Sequence, residues 1–302
     1  MKRWTRRELG QIAAALSITP GIALTENEKM LTRPVPASGE AIPIIGLGTY
    51  DVFDIRGSQG ELATRTEIVS LLAEKGGSLI DSSPMYNRSE QVVGDIIRTT
   101  GMRDELFIAT KVWTDGKSSG AAQMQRSAEH MQAGVIDLMQ VHNLRDLDIH
   151  MGTIREWQQD GRIRYNGITH YTAGAHRRLA EAMQRYKPEF IQINYSLGER
   201  EAEEHLLPLA QDLGIAGLIN RPYMAGGLFH KVRGQELPQW AREIAESWGQ
   251  LFLKFIITHP AVTCAIPATS KPHHMLDNLG AGFGAMPDAD MRQKIAAHWD
   301  SL

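Results

Sequence analysis

Asp81 closes the short apolar run Leu79-Ile80, and Tyr86 lies on the turn that follows through Ser82, Ser83 and Pro84. Lys111 ends a second apolar run, LFIAT, and His142 ends a third, VIDLMQV. A phenol with the ordinary tyrosine pKa of about 10 is a poor proton donor near neutrality, but an adjacent ammonium stabilises phenolate and lowers that value. If the four groups meet, Lys111 acts on Tyr86 in this way, Asp81 holds the ammonium, and His142 orients a carbonyl oxygen or relays its proton. Tyr86 is then a general acid for a developing alkoxide. The set contains no hydride source. Taken singly, each residue has a structural reading: a strand-end acid, a loop anchor, a solvated lysine and a satisfied buried histidine. Only their joint occurrence argues for chemistry.

Three of the four end apolar runs, so the elements that position them are strands. From Met30 the chain reads MLTRPVPASGEAIPIIGLGTYDV, two short apolar runs joined by Ala37-Ser38-Gly39-Glu40, which predicts a hairpin leading into a first strand near Ile44 to Leu47. A helical pattern from Glu61 to Lys75 follows, with Ile68, Val69, Leu71 and Leu72 on one side. GGSLIDSSPMYNRSEQVVG then passes through a strand and a loop into a helix at Glu90 to Arg98. The alternation continues with strand Leu106 to Thr110 and helix Ala121 to Met131, then strand Val135 to Val141 and helix Thr153 to Asp160. Strand Arg164 to Ile168 precedes helix Ala175 to Tyr186, and strand Phe190 to Ile193 precedes helix Glu201 to Leu213. A seventh strand at Ile215 to Ile219 leads through the glycine-containing loop Arg221 to Leu228 into a long helix within Trp240 to Thr258. Thr263 to Ile266 is an eighth strand, His273 to Leu279 begins the next helix, and an amphipathic tail follows Pro287.

Eight strands alternating with helices predict an α/β fold with a parallel sheet, and eight is the number that closes a (β/α)₈ TIM barrel, where reactive groups gather at the strands' carboxyl ends. A doubly wound open sheet is the alternative. It is weakened by the lack of a G-x-G-x-x-G turn after the first strand, since Gly46-x-Gly48 has no third glycine. There is no internal repeat or linker after residue 30, so residues 30–302 are expected to form one barrel with a short N-terminal hairpin.

IPIIGLGTY, LIDSSPMYNRSEQVVG, FIATKVW, IDLMQVHN, IQINYS and IPATSKPHHMLDN resemble the successive signatures of the aldo-keto reductase family, in order and spacing, from Met30 to about Leu279. The resemblance implies that Asp81, Tyr86, Lys111 and His142 form that family's catalytic tetrad. It also implies NADPH, with NADH as the alternative, bound in an extended pose without a Rossmann domain, and a small carbonyl substrate. The cofactor positions it implies are Gly48, Thr49, Tyr50, Asp81, Thr169, His170, Gln192, Arg221, Pro222, Gly226, Thr269, Ser270, Lys271 and Asn278. Gln192 matches the residue that binds the carboxamide, and Thr169-His170 replaces the family's Ser-Asn pair. Arg221 stands where the family usually stacks an aromatic on the nicotinamide; a guanidinium plane can stack, although its charge disfavours the oxidised ring. Lys271 offers charge for a 2′-phosphate, while the lysine often found earlier in that segment is Ala268. Tyr50 and Trp113 are expected at the substrate pocket, Trp113 as an apolar wall.

Composition sets the remaining bounds. The chain of 302 residues, 42% hydrophobic and 22% charged with a formal net charge of -3, has no basic field for a nucleic-acid partner. The single cysteine, Cys264, excludes an intramolecular disulfide and a cysteine zinc cage, and reads as a buried hydrophobe. His273-His274 do not face one metal ligand site on a helix, and His142, Asp146, Asp148 and His150 read as a solvated polar loop, so no metal site is expected. Thr5-Arg6-Arg7-Glu8-Leu9, followed by the alanine-rich run Ile12 to Leu24, resembles a twin-arginine export signal within residues 1–29 and implies a periplasmic protein. A clear A-x-A cleavage site is lacking, and the alternative is a frayed terminus on a cytoplasmic protein. The run is too short and too interrupted by Ser17, Pro20 and Gly21 to span a membrane. Two other functions fit less of the chain. A nucleotide-binding sensor leaves the intact tetrad without a purpose, and a barrel hydrolase using Asp81 leaves the Thr269-Ser270-Lys271 segment unexplained.

Overall fold

The structure, a computed structural model, describes residues 29–56 and 58–302. The proposed export signal therefore lies almost wholly outside the described residues. An antiparallel hairpin, β1 (Thr32–Pro34) and β2 (Ala41–Pro43), precedes the barrel, as the turn residues between them predict. The barrel strands are β3 (Leu47–Gly48), β4 (Leu79–Asp81), β5 (Phe107–Val112), β6 (Ile136–His142), β7 (Ile163–Thr169), β8 (Phe190–Asn194), β9 (Ala216–Asn220) and β10 (Val262–Ala265). All neighbouring pairs are parallel and run in chain order. Parallel bridges Ile45↔Ala265 and Gly48↔Ala268 join the two ends of the sheet, so the eight-stranded sheet closes on itself.

The helices wrap the outside: α1 (Gln59–Glu74), α2 (Ser89–Thr100), α3 (Lys117–His130), α4 (Leu147–Gln159), α5 (His176–Tyr186), α6 (Leu206–Asp212), α7 (Gly227–Lys231), α8 (Trp248–Ile257), α9 (Pro272–Gly280) and α10 (Ala289–Ser301). Local chemistry starts and stops them. Ser58 caps α1, its hydroxyl accepting from the Glu61 amide at 3.3 Å and donating to the Glu61 carboxylate at 2.7 Å. Gly101, with φ of 75°, ends α2 in the left-handed conformation that costs glycine nothing. Among the described residues no helix is long and apolar enough to cross a membrane.

Strand side chains alternate between faces, and inside the barrel this sorts the chemistry into layers. Leu79, Phe107, Ala109, Leu138, Tyr165, Phe190, Ala216, Leu218 and Cys264 form one buried cluster within the sheet, closed from below by Val35 and Ile42 of the hairpin region. Two residues further along their strands, the same inward face carries Asp81, Lys111, Gln140 and Gln192, and above them His142. Apolar filling at the amino ends thus gives way to a polar layer at the carboxyl ends. The hairpin is tied to the amino end by Glu40, which accepts from Tyr165 Oη at 2.5 Å and pairs with Arg164, itself bonded to Asp137 at 2.7 Å.

Several elements differ from the sequence expectation. Helix α4 begins at Leu147 rather than near Thr153, and the expected solvated loop is in part the start of that helix. His150 is fully buried with Nε2 2.8 Å from the Thr114 carbonyl, and Asp146 accepts from the Gly116 amide at 2.6 Å. The polar residues concealed a helix because their partners come from the loop after β5. The expected helix Glu201 to Leu213 divides into a 3₁₀ turn, Glu201–Glu203, and α6, and the long helix within Trp240 to Thr258 divides into a 3₁₀ turn, Gln239–Glu243, and α8. Cys264 is buried as expected, and burial pushes its thiol pKa up.

Gly167 faces the barrel interior between Gln140 and Phe190. A Cβ there would stand 3.0 Å from Gln140 Cγ and 3.1 Å from the Phe190 carbonyl oxygen. Gly167→Ala is expected to lower stability by about 1–2 kcal/mol through overpacking. Denaturant titration checks this, and an unchanged midpoint would show that Gln140 is free to move.

Candidate active site

Lys111 Nζ donates to Asp81 Oδ2 at 2.5 Å and to the Ser82 carbonyl at 2.7 Å. Both charged groups are buried, where an unpaired ion costs several kcal/mol, so the second carboxylate oxygen also needs donors. Gln140 Nε2 supplies one at 3.0 Å and Gln192 Nε2 another at 2.8 Å. Burial pulls the Lys111 pKa down, but the Asp81 carboxylate beside it outweighs this and the net direction is up, so Lys111 is an ammonium.

Tyr86 stands over this pair on the loop after β4, with Lys111 Nζ 5.1 Å from its ring centroid. The Ser83 carbonyl accepts from the Tyr86 amide at 3.0 Å, closing a turn with Pro84 at its second position, where the fixed φ of proline suits the bend. Burial pushes the Tyr86 pKa up, and Lys111 opposes this without reversing it. This corrects the expectation of a lowered value: the phenol is held protonated, with the ammonium placed to stabilise the phenolate once the proton has gone. The His142 ring lies edge-on to Tyr86 with centroids 6.0 Å apart. Burial, Lys111 and His170 together pull its pKa down to about 2, so the imidazole is neutral. Its Nδ1 lies 3.0 Å from Ser83 Oγ.

Tyr50 and Trp113 flank this centre. Tyr50 is 64% exposed and packs edge-on against Tyr86 at 5.0 Å, and half-buried Trp113 lies under the Arg145 guanidinium at 4.8 Å. Gly48 passes close to β10, where a Cβ would meet the Ile266 carbonyl oxygen at 2.8 Å. Thr49 is buried with its hydroxyl 3.0 Å from the Asp81 carbonyl and 2.9 Å from Ser82 Oγ, so it braces the end of β4.

The remaining cofactor candidates lie along the carboxyl ends of β7 to β10. Thr169 Oγ1 donates to Gln192 Oε1 at 3.3 Å. His170 Nδ1 accepts from the amides of Tyr171 at 3.0 Å and Thr172 at 3.3 Å. In a neutral imidazole this puts the proton on Nε2, so His170 can replace an asparagine as a donor. Gln192 is more committed than expected, because its amide nitrogen serves both Asp81 and Gln140. Asn220 escaped the sequence reading: it donates to the His170 carbonyl at 3.3 Å, and its buried Oδ1 has no partner among the described residues. A carboxamide N–H fits that acceptor, and His170 Nε2–H fits a carboxamide oxygen. Arg221, at φ of 51°, approaches Glu199 to 4.0 Å; Pro222 is buried and Gly226 turns with φ of 90°. Thr269, Ser270 and Lys271 lead into the amino end of α9, a natural phosphate site, with Arg65 donating to the Ser270 carbonyl at 3.3 Å. Asn278 is buried within α9 and accepts from the Tyr223 hydroxyl at 2.6 Å. Gln140 and Ser83 were also missed. Alternation from His142 places Gln140 on the inner face, a signal present in the sequence, whereas the hydroxyl of Ser83 finds its partner only in three dimensions.

The glyoxal reductase of Bacillus subtilis is 28% identical over 269 residues, 87% of this chain and 91% of that one. The methylglyoxal reductase YeaE of Escherichia coli is 25% identical over 262 residues, 82% of this chain and 89% of that one. Among solved structures, an aldo/keto reductase from Klebsiella pneumoniae in complex with NADP and acetate superposes with a TM-score of 0.73 at 23% identity, covering 90% of this chain and 95% of that one, a likeness of fold. The model of the Aldo/keto reductase family matches residues 44–300, a span that includes every strand of the barrel and Asp81, Tyr86, Lys111 and His142, and the chain therefore belongs to the aldo/keto reductase family.

Proposed function

We propose that the protein reduces an aldehyde or ketone to an alcohol with NADPH, with Tyr86 as the general acid. The observation that carries this reading is Tyr86 standing over a buried Lys111–Asp81 pair and edge-on to His142, where desolvation favours the uncharged form of both rings. A bound reduced nicotinamide supplies the hydride that these residues lack. The chain does the rest. His142 orients the carbonyl oxygen, Tyr86 gives its proton to that oxygen as negative charge develops, and Lys111 stabilises the phenolate. Asp81, fixed by Gln140 and Gln192, keeps the ammonium under Tyr86.

His170 and Asn220 would hold the carboxamide, with Thr169 and Gln192 bracing them, and the donors at the start of α9 with Lys271 would hold a 2′-phosphate, which favours NADPH over NADH. Glu199 offsets part of the charge on Arg221, which supports a guanidinium plane against the nicotinamide ring. The names of the two bacterial relatives make glyoxal and methylglyoxal the first substrates to assay. We also propose export through Arg6-Arg7.

With these aldehydes, NADPH absorbance should fall faster than NADH absorbance, and Tyr86→Phe should reduce kcat by about 10²–10⁴-fold while leaving cofactor binding intact. Turnover that survives the substitution removes Tyr86 as the donor, and binding without reduction of any carbonyl indicates a sensor. The pH dependence has a fixed sign. Tyr86 must be protonated to act and its pKa is raised, so kcat/KM should stay level from about pH 6 to pH 9 and fall only at higher pH. A decline centred near the ordinary histidine value of about 6.5 would contradict the neutral His142. For export, Arg6→Lys/Arg7→Lys should shift the protein from the periplasmic to the cytoplasmic fraction, and an unchanged distribution would dismiss the signal.

A further inference from the structure

We infer that Ser83 is a positioning residue that sets the tautomer of His142, holding Nδ1 unprotonated so that Nε2–H faces the substrate cleft. The inference rests on the reading of His142 as the group that meets the carbonyl oxygen.

It follows from counting hydrogens in a buried place. Ser83 is 0% exposed, so its hydroxyl proton cannot be given to bulk water. Two partners lie within reach of Ser83 Oγ: the Met85 backbone N–H at 3.3 Å and His142 Nδ1 at 3.0 Å. The Met85 amide is a donor and can only use a lone pair of the hydroxyl. Among the described residues, His142 Nδ1 is then the one acceptor available for the hydroxyl proton. If Nδ1 carried a proton instead, two donors would converge on Ser83 Oγ and its own hydrogen would be buried without a partner, a desolvation cost that the opposite tautomer avoids. The imidazole is neutral, so a proton absent from Nδ1 must be on Nε2.

The turn makes this more than an isolated contact. Ser83 and Tyr86 are its first and last residues, joined by the Tyr86 N–H to Ser83 carbonyl bond at 3.0 Å. Ser83 reaches His142 from one end, and the Tyr86 ring stands edge-on to the same imidazole from the other. One rigid turn therefore presents the phenol that delivers a proton and selects the face of the histidine that receives the carbonyl oxygen. With the opposite tautomer, an Nε2 lone pair would face that oxygen and repel it.

The test uses the whole protein labelled with ¹⁵N at histidine. Two-bond ¹⁵N–¹H correlation of the wild type should show His142 with Nε2 protonated and Nδ1 bare but hydrogen-bonded; a protonated Nδ1 would overturn the proposal, whether or not any variant folds. Ser83→Ala should introduce the Nδ1–H form and lower kcat for carbonyl reduction by about tenfold, the loss of one hydrogen bond to the reacting oxygen, with cofactor affinity unchanged. Ser83→Thr, which keeps the hydroxyl, should restore both the spectrum and kcat. A Ser83→Ala protein with the wild-type tautomer and the wild-type kcat would also overturn it. Because the spectrum needs no turnover, a wild type with Nε2–H that reduces no carbonyl upholds the assignment at Ser83 and removes only the proposed function.

Discussion

The buried pair of Lys111 and Asp81 is the constraint around which the upper half of the barrel is arranged. An ammonium and a carboxylate taken out of water together lose more hydration than a single contact returns, and they persist only where every remaining donor and acceptor finds a partner. Here the Ser82 carbonyl takes a second proton of the ammonium, while Gln140 and Gln192 meet the free carboxylate oxygen. Thr49 braces the end of β4, and Gly167 leaves the space in which Gln140 lies. Each is explained by the pair it serves. Removing either ion alone would strand the other, which is why such a pair is costly to keep unless it has a use.

That use is electrostatic. One fixed positive charge sits below two groups that are both neutral before reaction, a phenol whose pKa burial has raised and an imidazole whose pKa burial has lowered. The same desolvation acts on them in opposite directions because it always disfavours the charged form. Lys111 therefore faces no competing charge on Tyr86 until a proton has been given away, and its stabilisation is concentrated in the state that follows. The preorganised charge does not have to be assembled during the reaction.

Backbone strain is concentrated near the same rim. Non-glycine residues with positive φ include Asn143, Leu144 and Asp146 after β6 and Arg221, Met224 and Ala225 after β9. Such conformations cost on the order of 1–3 kcal/mol each and survive where the surroundings over-determine them. After β6 the strain places a loop whose Asp146 reaches back to Gly116 and whose Arg145 covers Trp113. After β9 it carries Arg221 to the side of the cleft where Glu199 lies. The strands supply the reacting groups, and the strained loops shape the opening above them.

Strand and helix periodicity narrowed the fold to a barrel or a doubly wound open sheet, because eight apolar runs alternating with amphipathic segments have few ways to bury both kinds of face, and the missing glycine-rich turn favoured the barrel. The same alternation put Asp81, Lys111 and His142 at strand ends, and Tyr86 on the loop after one of them. What linear order could not contain was the sign of the electrostatic balance. From sequence, Lys111 is expected to lower the pKa of Tyr86, but desolvation decides which influence is larger, and desolvation is a property of the closed barrel. The start of α4 was hidden for a related reason, since Asp146 and His150 are satisfied by the backbone of a different loop. Residue types and their period are local and can be read along the chain. Desolvation, the partner of a serine hydroxyl and the tautomer of a histidine depend on groups brought together from distant strands, so only the tertiary structure decided them.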